Sequence, residues 1–238
     1  MSTRESVHQE AIKTLKELFK DYGAQGLVSI YFWGSIIGPD FNPISSDIDS
    51  VGLLSDEADF EQLDKIRDWL PKANPKLTRL QINFFFITEL SREKPIRSRL
   101  ARLATPEQAV FDFPHWEYVC GRRLDSDYFK PVFVRQYIQD QFKIVAERTI
   151  WAQNPTNPMY PEYYCKSLAW LCYAIHRQTY PKQPFSWRML VAESNVDTLA
   201  LISLLCHLKE SNWDKRQVIS HLPHLYAMAE VLKQKYSD

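Results

Sequence analysis

The sequence predicts an α+β fold, in which a small mixed β-sheet with flanking helices is followed by an all-α C-terminal domain. Short runs of β-branched and aromatic residues recur in the first ninety positions and are typical of buried strands. Amphipathic segments with helical spacing separate these runs. From about residue 129 onward the apolar pattern is helical throughout. We therefore expect two domains, residues 1–125 and residues 126–238.

Three apolar segments of the first domain are predicted to be strands of one small mixed sheet: residues 27–33, 48–54 and 79–87. In the third segment, Gln81 and Asn83 alternate with apolar side chains and would therefore share the opposite face. Two polar residues on one face of a buried strand are typical of a functional site or of a hydrogen-bonded pair.

The helices are predicted from apolar spacing together with capping and breaking residues. Gly23 would end the first helix, Pro71 would stop the second, and the segment Tyr118 to Leu124 would lead out of the first domain. A proline-rich loop over residues 153–161 separates two helices of the second domain. The predicted helices cover residues 7–22, Ser55 or Asp56 to Leu70, a start at Thr105-Pro106, 129–151, 162–180, 195–209 and 214–236.

Composition narrows the class of protein without identifying it. The chain has 238 residues, of which 45% are hydrophobic and 24% charged, and its net charge is zero. These values are ordinary for a soluble globular protein and argue against bulk attraction to nucleic acid or to a membrane. No apolar run approaches the roughly 18 residues needed to span a bilayer. The four cysteines lie in apolar contexts without a Cys-x-x-Cys motif, so we expect reduced thiols and a cytoplasmic protein.

The most informative segment joins a glycine-serine turn to two carboxylates. Gly34 and Ser35 directly follow the first strand, and Asp47 and Asp49 open the second strand after a spacer that runs from residue 36 to residue 46. A glycine turn lets backbone N–H groups approach an anion, and serine adds a hydroxyl donor. Carboxylates at positions i and i+2 of a strand project from one face and suit Mg²⁺, which takes one or two carboxylates along with water and phosphate oxygens.

This combination resembles the nucleotidyltransferase superfamily of the DNA polymerase β type, and within it the adenylyltransferases that modify streptomycin and spectinomycin. The matching residues are Trp33-Gly34-Ser35, the spacer ending in Ser46, and Asp47-Ile48-Asp49. The segment from Tyr118 to Arg122 and, more loosely, residues 167–192 are also similar to that family. The resemblance implies ATP as a substrate bound by Gly34, Ser35 and Ser46, and one or two Mg²⁺ ions on the aspartates. It also implies a helical second domain that closes over the nucleotide and the acceptor.

The sequence differs from the family pattern at its third motif, which corresponds to residues 80–86. The family's third carboxylate acts as the general base toward the attacking hydroxyl, and it falls on Gln81 in this sequence. A glutamine cannot usefully accept a proton, and general base catalysis typically contributes about 10²–10⁴-fold to the rate. Glu89 is the nearest acid downstream and a weaker alternative base. We therefore carry Gln81 as the third candidate catalytic position.

Several other basic residues and histidines are candidates for contacts with phosphate or with a metal ion. Lys166 is the first choice for a basic residue of the second domain that contacts phosphate, ahead of Arg148 and Arg177. His221 and His224 have a spacing that two metal ligands can use, but Pro223 lies between them and no further ligand is near in sequence. Five cations between residues 92 and 102 form either a solvated helix face or a contact with a nucleotide or an acidic partner.

Two functions of different classes follow. The leading hypothesis is an adenylyltransferase that transfers AMP from ATP to a hydroxyl of a small, aminoglycoside-like acceptor. The alternative is a nucleotide-binding regulatory or partner protein that kept the aspartates and lost the base, which Gln81 favours. A third possibility is a macromolecular acceptor, either a tRNA end or a protein hydroxyl. The neutral charge argues against tight RNA binding, because phosphate contacts need clustered cations. The oligomeric state cannot be predicted from the sequence.

Overall fold

A computed structural model describes residues 3–91, 106–129, 131–153, 160–180 and 185–236 of the chain. The chain divides into two compact units, Met1–Pro131 and Val132–Asp238. The first unit combines a β-sheet with helices, and the second is built from helices in the part that the structure describes. The predicted α+β fold class is therefore confirmed.

Among the described residues, the first unit has four strands: β1 Leu27–Trp33, β2 Ile48–Leu54, β3 Leu80–Phe86 and β4 Glu117–Gly121. They form one mixed sheet with the order β3-β2-β1-β4. The β1 strand pairs antiparallel with both β2 and β4, whereas β2 pairs parallel with β3. The sequence predicts three of these strands and misses β4, because two of its five residues are exposed and its apolar pattern is too short to stand out.

One face of the sheet packs against the first helix. Thr3 caps this helix and forms a capping box with Ser6, and the buried positions Val7, Ala11, Leu15 and Leu18 recur at helical spacing. They join a core that includes alternate side chains of the strands, which point to the same face. The helices of the first unit are α1 Arg4–Tyr22, α2 Phe60–Ala73, α3 Ile87–Leu90 and α4 Pro106–Asp112.

The second helix differs from its prediction at both ends. It begins at Phe60 rather than at Ser55 or Asp56, because a turn precedes it in which the Ala58 N–H donates to the Ser55 carbonyl. The Asp56 carboxylate accepts a hydrogen bond from the Thr88 hydroxyl at 2.6 Å and does not cap the helix. Pro71 lies inside the helix, in its last turn, so it does not stop the helix where expected.

The helices of the second unit surround a core of large side chains, among them Tyr164, Leu168 and Tyr173, which are fully buried. The first of these helices begins five residues later than predicted, because Phe129 belongs to the first unit, where its ring packs edge-on against Phe113. No helix in the described part of the chain is long and apolar enough to cross a membrane. The helices are α5 Val134–Ala152, α6 Tyr160–His176, α7 Trp187–Ala192, α8 Leu199–Glu210 and α9 Lys215–Tyr236.

Candidate active site at one end of the sheet

The glycine-serine turn is packed directly against one of the two aspartates. Gly34 follows the last residue of β1 and adopts a φ of +73°, a left-handed conformation that favours glycine. A β-carbon on Gly34 would lie 2.8 Å from Oδ2 of Asp49, which is too close for ordinary contact. Trp33, the residue before Gly34, pairs with Asp49 across the antiparallel strands. The structure therefore brings the turn and the Asp49 carboxylate together.

Asp47 and Asp49 flank the start of β2. Asp47 is exposed immediately before the strand, and Asp49 is half-buried within it. The Ser35 hydroxyl donates to the Asp47 carbonyl at 3.4 Å, so the turn is also tied to the backbone of the first aspartate. The Ile48 N–H donates to the Arg79 carbonyl at 3.0 Å, which fixes this backbone against the residue that precedes β3. Two aspartates and the glycine-serine turn thus share one end of the sheet.

The loop that joins the two halves of the motif is held by hydrogen bonds. The Ser46 hydroxyl accepts a hydrogen bond from the Asn42 N–H at 2.9 Å, and the Ser46 N–H donates back to the Asn42 carbonyl. Two guanidinium groups donate to loop carbonyls, from Arg79 to Pro43 and from Arg4 to Ile36. Ser46 therefore closes the loop, and its predicted contact with a nucleotide stays a prediction.

Gln81 lies beside Asp49 on the neighbouring parallel strand. The two residues are partners in the register of β2 and β3, and paired residues project from the same face of a sheet about 5 Å apart. The Gln81 side chain is exposed, while its neighbours Leu80 and Ile82 are buried in the core. The backbone carbonyl of Gln81 accepts a hydrogen bond from the Ser50 hydroxyl at 2.6 Å, which fixes the strand at this position.

Glu89 does not reach this end of the sheet. Its side chain is 2% exposed, and its Oε2 accepts a hydrogen bond from the Phe86 N–H at the start of α3. Phe86 is the last residue of β3, five positions after Gln81, and a strand rises about 3.3 Å per residue. Glu89 therefore caps the start of α3 at the opposite end of β3 and cannot replace Gln81 as the base.

An aromatic cluster that was not predicted from the sequence lies on the face of the sheet that carries Asp49. Tyr31 and Trp33 alternate with buried Phe32 and pack against Trp116, with ring centroids 6.0 and 5.9 Å away. Burial raises the pKa of the Tyr31 hydroxyl, which accepts a hydrogen bond from the Leu124 N–H at 2.8 Å. The run of three aromatic residues Tyr31-Phe32-Trp33 was the available signal, and the cluster places apolar rings on the face of the sheet that carries Asp49.

The predicted basic residue Lys166 belongs to the second unit. Its Nζ lies 2.7 Å from Oε1 of Glu162, one turn earlier on α6, and it lies 5.9 Å from the centre of the Tyr163 ring. Arg148 lies over the same ring at 5.4 Å, and Arg177 is buried beside Tyr173. Lys166 is thus held in a half-exposed ion pair, and its role toward phosphate stays a prediction.

The remaining predicted ligands add no metal cluster. The Nδ1 of His221 lies 2.8 Å from the Gln217 carbonyl of its own helix. In the described ranges no three or more His, Cys, Asp or Glu side chains are grouped so that they could hold a metal ion. Two aspartates beside a glycine-serine turn fit Mg²⁺, since this ion takes few protein ligands and completes its shell with water and phosphate. The basic run at residues 92–102 lies outside the described residues.

A search of solved structures finds a chain with the same architecture. The match is the crystal structure of spectinomycin adenyltransferase AAD(9) from Enterococcus faecialis with ATP and spectinomycin. The TM-score is 0.63 at 13% sequence identity, and the alignment covers 93% of this chain and 99% of that one. No protein-family model matches the chain, and no curated protein matches it in sequence. The likeness shows a nucleotidyltransferase-like fold, and at this identity it shows the fold alone.

Proposed function

We propose that the protein is a Mg²⁺-dependent nucleotidyltransferase that uses ATP as the donor. The close packing of Gly34 against the Asp49 carboxylate carries the proposal, because it places a turn suited to phosphate next to a carboxylate suited to Mg²⁺. The nucleotidyltransferase-like fold supports it. The structural neighbour was crystallised with ATP, which favours ATP as the nucleotide here.

In this mechanism the chain's own residues bind and orient the nucleotide. The backbone N–H groups of the Gly34-Ser35 turn and the Ser35 hydroxyl bind the phosphates, and Asp47 and Asp49 hold one or two Mg²⁺ ions. The metal, when bound, neutralises charge on the α-phosphate and on the leaving pyrophosphate. The family resemblance assigns acceptor binding to the second unit, residues 132–238. Lys166, which is paired with Glu162 at 2.7 Å, is the candidate of that unit for a contact with phosphate.

The acceptor is a small molecule that attacks through an oxygen atom. The neighbour contains spectinomycin, and the family resemblance implies a hydroxyl of an aminoglycoside-like molecule. A hydroxyl has to lose its proton, however, and the carboxamide at Gln81 cannot take it. This favours a second candidate function, a regulatory or partner protein that binds nucleotide without efficient transfer.

Calorimetric titration with ATP, in the presence and absence of Mg²⁺, tests the proposed site. We expect Mg²⁺ to tighten binding, and the Asp47→Ala, Asp49→Ala double variant to lose that effect. The matched control is the Asp21→Ala, Asp68→Ala double variant, which removes the same charge from exposed positions of the same unit. Equal metal dependence in the aspartate variant and in the wild type would contradict the proposal. Metal-dependent binding without pyrophosphate release toward any acceptor would establish the regulatory alternative instead.

A further inference from the structure

Gln81 lies beside Asp49, one of the two candidate metal-binding carboxylates. The two residues are register partners, the Gln81 side chain is exposed, and the Gln81 backbone carbonyl accepts a hydrogen bond from the Ser50 hydroxyl at 2.6 Å. A carboxamide is neutral, presents two N–H donors and one carbonyl, and does not take up a proton at neutral pH. A group bound over this end of the sheet would therefore meet a hydrogen-bond donor at Gln81, next to the carboxylate of Asp49.

We propose that Gln81 selects an acceptor whose attacking oxygen is already anionic, a carboxylate or a phosphate monoester, rather than a neutral hydroxyl; this inference rests on the proposed function. An anionic oxygen carries no proton that has to be removed before it attacks. It accepts a hydrogen bond from the Gln81 amide, and such charge-assisted bonds are roughly twice as strong as neutral ones. Gln81 thus replaces the base with a donor that positions the acceptor.

The local charge favours the same class of acceptor. A carboxylate at position 81 would add a third negative charge beside Asp47 and Asp49 and would repel an anionic acceptor at about 4–5 Å. Glutamine removes that repulsion. Arg79 lies two residues before Gln81, its carbonyl is bonded to the start of β2, and its half-buried guanidinium donates to Pro43 at 3.3 Å. A fixed positive charge therefore lies near the same strand ends.

The reaction balances without a proton acceptor. The anionic oxygen forms a bond to the α-phosphorus of ATP, and the bond from the α-phosphorus to the oxygen that bridges it to the β-phosphate breaks. The electron pair of that bond leaves with pyrophosphate. A carboxylate acceptor yields an acyl adenylate, and a phosphate monoester yields an adenylylated phosphate with a new P–O–P linkage. Inorganic phosphate, the simplest member of the second group, yields ADP.

A partition experiment tests this inference within single reactions. The wild-type protein, ATP and Mg²⁺ are incubated with ³²P-labelled inorganic phosphate, and labelled ADP is compared with AMP, which forms when neutral water is the acceptor. A parallel reaction contains acetate with hydroxylamine, which traps acetyl adenylate as acetohydroxamate and releases one AMP for each hydroxamate. In that reaction only the AMP in excess of acetohydroxamate reports water as the acceptor. Labelled ADP identifies phosphate as the accepted anion, and acetohydroxamate identifies carboxylate. Gln81→Glu is the test variant. Gln9→Glu is the control, because it makes the same change of charge at an exposed position of α1.

We expect the wild type and Gln9→Glu to form the anion-derived product, and Gln81→Glu to lower its ratio to AMP by about tenfold or more. Calorimetry should show that Gln81→Glu still binds ATP with Mg²⁺. A ratio that is unchanged or raised in Gln81→Glu would overturn the inference, as would a wild type that forms neither anion-derived product above the rate without protein. If ATP binding lacks any dependence on Mg²⁺, the proposed function itself fails. If that dependence is intact and the ratio does not fall, only the selection by Gln81 fails.

Discussion

Replacing Gly34 with alanine should damage the fold and the site through one added methyl group. The alanine would have to keep a φ of +73°, and its β-carbon would lie 2.8 Å from Asp49 Oδ2 and 3.5 Å from Asp49 Cγ. The left-handed conformation costs a non-glycine residue about 1–2 kcal/mol. Turning the Asp49 side chain away from its rotamer costs about 0.5–1.5 kcal/mol more. We therefore expect Gly34→Ala to lower the free energy of unfolding by about 1.5–3.5 kcal/mol.

Thermal unfolding and calorimetry measure the two consequences separately. For a chain of this size the loss corresponds to a fall in Tm on the order of 5–10 °C. Metal-dependent ATP binding should weaken as well, because the Asp49 carboxylate is displaced. Gly23→Ala is the matched control. Gly23 has a helical φ of −59°, and the atoms nearest to a β-carbon there belong to the Phe19 side chain, at 3.3 Å and beyond, so the Tm of Gly23→Ala should change little.

A double-mutant cycle separates backbone strain from the contact with Asp49. In an Asp49→Ala background the added methyl group of Gly34→Ala no longer meets a carboxylate, so only the cost of the backbone conformation should remain, about 1–2 kcal/mol. The reasoning is refuted if Gly34→Ala unfolds at the wild-type temperature and binds ATP with Mg²⁺ as the wild type does. An equal cost in both backgrounds would show that the contact with Asp49 contributes nothing.

Three further predictions concern stability. Leu15→Ala removes a fully buried side chain of α1, and denaturant unfolding should show a loss of about 2–5 kcal/mol. Burial raises the pKa of the Cys172 thiol to about 12, so the thiol should resist iodoacetamide in the native protein, and stability should fall as pH rises from about 9 toward 12, where only the unfolded thiol ionises. Hydrogen bonds from Lys235 and Tyr236 lower the pKa of Asp197. The higher Tm of the wild type over Asp197→Asn should therefore be present above the ordinary aspartate pKa and disappear as pH falls through the lowered one.

Much of the first unit could be predicted because its strands carry strong local signals. The segments around Ile30, Val51 and Phe84 are buried, and each is bounded by glycine or by polar residues that end a strand. The polar pattern of β3 also predicted which face Gln81 occupies. Local sequence was insufficient where tertiary packing decides. Phe129 looks like the start of a helix, yet its ring packs on Phe113 of the first unit.

The candidate site was predictable in its components but not in its contacts. The motif brought Gly34, Asp47 and Asp49 together as candidates, but the sequence could not show that Gly34 touches the Asp49 carboxylate. The position of Glu89 likewise depends on the course of β3, which carries it to the opposite end of the sheet and into a cap for α3. Such relations depend on strand register and direction, and residue types alone do not specify them.

Three neighbouring strands contribute one residue each to a single row across the sheet. Trp33 of β1 pairs with Asp49 of β2, which pairs in turn with Gln81 of β3. Trp33 is buried and directly precedes the turn, Asp49 is half-buried, and Gln81 is exposed, so exposure to solvent increases along the row. A change at Gln81 therefore alters the charge and hydrogen bonding offered to an acceptor while the core beneath it, formed by Leu80 and Ile82, stays intact. For that reason a comparison of the wild type with Gln81→Glu reports on chemistry rather than on folding.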